Sequence, residues 1–132
     1  MILYKYKSMP YKYNFEKLEV WNDARLFVSV IYKITNSFPE KEKYGICSQM
    51  QRAAVSIVSN IAEGVSRNSV KEQIRFIEIA YGSLMEVYCQ LYITMDLDYL
   101  SSEIFGNTKE DIDKIANKLN ALNRSLAKRL NT

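Results

Sequence analysis

A chain of 132 residues, 48% hydrophobic and 25% charged, is long enough for one hydrophobic core and too short for two ordinary domains. It holds no histidine, which removes Ser-His and Cys-His nucleophile pairs, imidazole metal sites and the commonest general base at neutral pH. The net charge of +3 is uneven: residues 1–14 carry three lysines and no acid, residues 109–132 carry six basic and three acidic groups, and the stretch between them is net acidic.

No run is apolar enough to cross a bilayer, and Lys5, Lys7 and Lys12 interrupt any signal-like start, so a cytoplasmic protein with no membrane partner is expected. Cys47 and Cys89 read as buried free thiols, because a disulfide framework normally uses more cysteines.

Residues 1–14 alternate tyrosine and lysine around Pro10 and form a basic, aromatic N-terminal arm outside the main domain, 15–132. A mobile or locally packed tail is the plain reading, with an edge strand or a partner-ordered arm as alternatives. From about Leu18 to Asn36, Val20, Trp21, Ala24, Phe27, Val28, Ile31 and Ile34 follow a 3.6-residue period and predict the first helix. Ser37, Phe38 and Pro39 break it, and Ser37 with Glu40 has capping-box spacing for the next element.

The second helix, near Tyr44 to Val65, has an unusual polar stripe. Ser48, Arg52, Ser56, Ser59 and Glu63 fall on one line with Gln49 and Asn60 beside it, while Ala53, Ala54, Ile57, Val58 and Ile61 cover the remainder. Small uncharged groups in place of Lys and Glu suit close neighbours on more than one side. Arg52, Ser56, Asn60 and Glu63 are therefore assigned to helix packing or subunit contact, with Arg52 reaching Glu78 or Glu86 across the bundle or an interface.

Ser69-x-x-Glu72 is a capping box that starts the third helix, Val70 to Leu97. Its apolar arc includes Phe76, Ile77, Ala80, Leu84, Val87 and Leu91, and Ile79, Cys89 and Ile93 make the outer side partly apolar too. Gly82 lies mid-helix at a cost of about 1 kcal/mol against Ala, which close packing would explain, so Gly82 and Glu86 join the packing set. Ser101 to Asn107, with Gly106, is expected to be a loop, followed by a cap at Asn107 or Thr108 and a fourth helix with the seam Ile112, Ile115, Leu119, Leu122, Leu126 and Leu130.

Four amphipathic helices with short connections make an all-α, antiparallel up-down-up-down four-helix bundle. Glu63, Glu78 and Glu86 do not make a di-iron site without Glu-x-x-His pairs, and no metal, cofactor or catalytic residue is assigned. On the fourth helix, Lys114, Lys118, Arg124, Lys128 and Arg129 lie off the leucine seam. They read either as a solvated face or, with Lys5, Lys7 and Lys12, as phosphate contacts.

Six ordered blocks between Phe15 and Leu126 carry a resemblance: Phe15-x-x-Leu18-x-Val20-Trp21, Phe38-Pro39 with Glu42-x-Tyr44-Gly45, Arg52-Ala-Ala-Val-Ser-Ile57, Asn60-Ile-Ala-Glu-Gly64, Ser69-x-x-Glu72, and Ile79-Ala-x-Gly-Ser-Leu-x-Glu86. Together they resemble the bacterial four-helix-bundle family encoded by open reading frames within intervening sequences of 23S ribosomal RNA genes, the S23 type. The resemblance implies a homopentameric, barrel-like assembly. It also implies kinship with the accessory variability protein of diversity-generating retroelements, which binds nucleic acid and a reverse transcriptase. The expected function is a non-enzymatic homo-oligomeric scaffold for RNA or DNA and a nucleic-acid enzyme such as a reverse transcriptase. The alternative is a protein-interaction module without nucleic-acid binding.

Overall fold

The structure, a computed structural model, describes residues 10–131. After a 3-10 turn at Asn14–Lys17 the chain forms α1 (Glu19–Asn36), a second 3-10 turn (Glu40–Glu42), α2 (Ile46–Val65), α3 (Val70–Asp96) and α4 (Ser102–Leu130). Each helix packs on the next, and α4 returns to α1 along the thinnest seam, as an up-down bundle requires.

The apolar periodicity drives this arrangement. Val20, Ala24, Phe27, Ile31 and Ile34 of α1, Ile57 and Ile61 of α2, Ile77, Leu84 and Leu91 of α3, and Ile112, Ile115 and Leu119 of α4 are all buried in one core. Where α2 leaves the bundle end beside α3, Gly64 is buried, and a Cβ there would meet Phe76 Cβ at 3.0 Å and the Gln73 carbonyl oxygen at 3.3 Å. That glycine lets two helices close at their shared connection, a role beyond helix termination.

Two expectations about helix ends are corrected. Ser37 does not cap α2: its Oγ donates to the Ile34 carbonyl at 2.7 Å and finishes α1, while Glu40 opens the second 3-10 turn. That turn delays α2 to Ile46. The expected loop at Ser101 to Asn107 is instead the first part of α4, capped by Ser101, whose Oγ accepts from the Ile104 amide at 3.2 Å. Thr108 is buried and donates to the Ile104 carbonyl at 2.7 Å, so it serves the helix interior. Tertiary packing favours the earlier start, because Phe105 sets its ring against Tyr92 and Tyr88 at centroid distances of 4.8 and 6.1 Å. Ser69 does cap α3, accepting from the Glu72 amide at 3.4 Å.

Candidate functional site

Two surfaces gather the residues singled out by the sequence. The first is the outward face of α2 and α3. Ser56 of α2 and Ser83 of α3 meet hydroxyl to hydroxyl at 2.8 Å, and Asn60 Nδ2 donates to Ser56 Oγ at 3.0 Å and to its carbonyl at 2.8 Å. These half-buried groups satisfy one another between the helices. Arg52, Val55, Ser59, Ile79, Gly82, Glu86, Cys89 and Ile93 are exposed around them.

Arg52 forms no ion pair with Glu78 or Glu86 inside the protomer, and among the described residues its guanidinium has no carboxylate partner. Glu86 accepts from Gln90 Nε2 at 3.2 Å, and Glu63 pairs with Arg67 at 3.5 Å. Nothing lies within 4 Å of a Cβ built at Gly82, so close packing on that glycine does not occur within one chain. Gln90 is buried with its Oε1 unpartnered. Cys89 is exposed, contrary to the expectation of two buried thiols, whereas Cys47 is buried and its thiol pKa is pushed up by desolvation and then by Glu42.

The second surface is the length of α4. Lys118 lies against both Asp23 and Glu19 of α1, and Lys114 reaches Asp23 at 3.5 Å. Their ammonium groups therefore bridge the thin α1–α4 seam, where Asp23 retains only 15% side-chain exposure. Hydrogen bonding to Asp23 and Glu19 raises the Lys118 pKa. Arg124 and Lys128 are exposed without an ion pair among the described residues, and Arg129 is exposed but engaged. Lys12 sits over the Tyr13 ring at 5.3 Å; Lys5 and Lys7 lie outside the described residues.

Sequence reasoning passed over two features. Between α3 and α4 runs a groove of about 330 Å³ lined by Ile77, Glu78, Tyr81, Gly82, Leu119, Asn120 and Asn123. Its only sequence signal is the scatter of asparagines on α4, which acquires meaning once Tyr81 is opposite. Near the other end, Tyr88, Tyr92 and Phe105 form an aromatic cluster whose Tyr88 and Tyr92 hydroxyls are 3.3 Å apart, with Tyr92, Ile104 and Leu97 exposed.

Among the described residues no group of three acidic, cysteine or histidine side chains is placed to hold a metal ion, and no helix is long and apolar enough to cross a membrane. The family model described as 23S rRNA-intervening sequence protein matches residues 16–121. A crystal structure of a protein with unknown function from the S23 ribosomal protein family of Bacteroides thetaiotaomicron superposes with a TM-score of 0.71. The two share 22% sequence identity over 79% of this chain and 97% of that one, which shows a common fold. No curated protein matches the sequence.

Proposed function

The chain belongs to the 23S rRNA-intervening sequence protein family, and from that membership and its two surfaces we propose a non-enzymatic homo-oligomeric scaffold, five copies in a ring, that binds RNA or DNA. The observation that carries self-assembly is the α2–α3 outer face, where Val55, Ile79 and Ile93 are exposed at 42%, 41% and 43% beside small residues. An exposed apolar face flanked by an unpaired Arg52 and by Glu86 suits a second copy offering the opposite charge. Arg52 to Glu86 is then an intersubunit pair. It would define register more than add stability, because desolvation offsets much of the attraction.

Nucleic-acid binding is supported by the exposed cations at the end of α4, which repeat around any ring and turn a modest charge per chain into a large positive surface. A nucleic-acid enzyme such as a reverse transcriptase is the protein partner that fits such a scaffold. Native mass spectrometry of the full chain, first without and then with RNA, tests both parts. A monomer at micromolar concentration ends the assembly reading, and no RNA-bound species at low salt ends the nucleic-acid reading.

The Tyr88, Tyr92 and Phe105 cluster favours a second reading, a protein-interaction module. Exposed aromatic and aliphatic groups there suit a polypeptide partner. Pull-down from nuclease-treated lysate separates the two, because a protein partner survives the nuclease and an RNA-bridged one does not.

A further inference from the structure

The four helices distribute charge along the bundle axis. Residues 10–27, 56–83 and 117–131 occupy the end where α2 meets α3 and where α4 finishes, and they hold ten cations and six carboxylates. Residues 28–55 and 84–116 make the opposite end, with six cations and nine carboxylates. A polyanion is drawn to the first end and repelled from the second.

At the basic end several charges are already engaged. Lys118 is held by Asp23 and Glu19, and Arg67 by Glu63 and Glu72. Lys71 and Arg75 on the first turns of α3, and Arg124 and Lys128 on the last turns of α4, are exposed and form no ion pair among the described residues. Lys71 and Arg75 are four residues apart, as are Arg124 and Lys128, so each pair shares a helix face. A cation in the first turn of α3 opposes the helix dipole, which makes Lys71 costly unless an anion approaches.

Neither pair lines the α3–α4 groove, but each lies beside its rim, since Arg75 is three residues from Glu78 and Arg124 four residues from Asn120, spacings that share a helix face. Its volume is near the lower end of small-molecule sites, about 300–1,000 Å³. The lining is neutral apart from Glu78, a carboxylate that repels phosphate but accepts from base amino and imino groups. Asn123 Oδ1 is buried without a hydrogen-bond partner, so that amide has acceptor capacity unused within the protomer, which a base reaches once the side chain turns into the groove.

Resting on the nucleic-acid reading above, we infer that a single-stranded nucleic acid is held at this end of the α3–α4 groove. Its phosphates lie on Lys71, Arg75, Arg124 and Lys128, and an unpaired base enters beside Tyr81, Asn120 and Asn123. Phosphate contacts supply most of the affinity, and the aromatic ring with the two amides accepts a base. Lys114 and Lys118, tied across the α1–α4 seam, take no part.

Fluorescence anisotropy of the full chain with a labelled unstructured RNA of about 20 nucleotides, titrated against salt, tests this. Lys71→Ala/Arg75→Ala and Arg124→Ala/Lys128→Ala are each expected to weaken binding about tenfold and to flatten the log-log salt slope by about 1.4, roughly 0.7 per lost contact. Asn120→Ala/Asn123→Ala weakens binding about fivefold with the slope unchanged. Lys114→Ala/Lys118→Ala changes neither. Circular dichroism of every variant confirms that the helices remain. If the unaltered chain binds RNA while any of the first three variants binds as well as it does, or the Lys114/Lys118 variant flattens the slope, the inference is overturned and the nucleic-acid reading stands. If the unaltered chain does not bind at low salt, both fall together.

Discussion

Ser56 of α2 and Ser83 of α3 share a hydrogen bond of 2.8 Å at the edge of the face that looks away from the core. With Asn60 donating to the same Ser56 oxygen, the bond sets how the two helices register, and it leaves the neighbouring Arg52 and Glu86 free to face outward. Replacing both serines by alanine removes donor and acceptor together and leaves no orphan at that contact except Asn60. The double variant is expected to lose less stability than the two single variants summed, with a coupling of about 1 kcal/mol in urea denaturation. Additive losses would mean that the hydroxyls act independently.

Gly64→Val places side-chain carbon into a space bounded by Phe76 Cβ and the Gln73 carbonyl, both fixed by α3. Neither neighbour is the end of a flexible side chain, so the helices must part. The expected loss is roughly 2 kcal/mol, read as a lower urea midpoint at unchanged slope.

Gly82→Leu is the opposite case. No atom meets the new Cβ within the protomer, and leucine is a better helix former by almost 1 kcal/mol, so helix content is kept or raised. If copies pack across this face, the added side chain blocks them, and light scattering should report a smaller particle while circular dichroism is unchanged. An unchanged particle mass would remove Gly82 from the interface.

Stability should fall at alkaline pH through Lys118. Its folded pKa is raised by Asp23 and Glu19, so the bridge contributes fully below the unfolded lysine value of about 10.4 and is lost as pH rises through the folded value. Tyr99 acts in the same direction, because its hydroxyl donates to Glu42 at 2.8 Å and its pKa is raised by that bond. The melting midpoint is expected to decline above about pH 10, with a shallower decline in Lys118→Met. At neutral pH that substitution lowers stability by about 1 kcal/mol, the upper range for a pair open to water on one side.

Thiol labelling distinguishes the two cysteines. Cys47 is buried with a raised pKa and should react only on unfolding, whereas Cys89 reacts in the folded protomer. Because Cys89 lies on the proposed interface, its labelling rate should fall as protein concentration rises. A rate independent of concentration would place the interface elsewhere.

Much of this fold was legible along the chain. Val20, Ala24, Phe27, Ile31 and Ile34 announce a buried helical face by spacing alone, and Ser69 with Glu72 announces the start of α3. The start of α4 is not legible in the same way, because Ser101 and Thr108 both have the chemistry of a cap, and the choice rests on Phe105 finding Tyr88 and Tyr92 on another helix. Of the candidate site, the charged positions were visible, but not which of them are neutralised at home.

The number of helices, their order and their inward faces were contained in the sequence, because periodicity is local and an apolar stripe must be buried whatever covers it. Which glycine is tightly packed and which is bare, and which lysines are engaged, emerged only when distant segments met. Lys118 and Asp23 are 95 residues apart, and no local pattern encodes their contact. Packing geometry thus tied Lys114 and Lys118 to α1 and left Arg124 and Lys128, roughly two and three turns beyond Lys118 on the same helix, facing solvent.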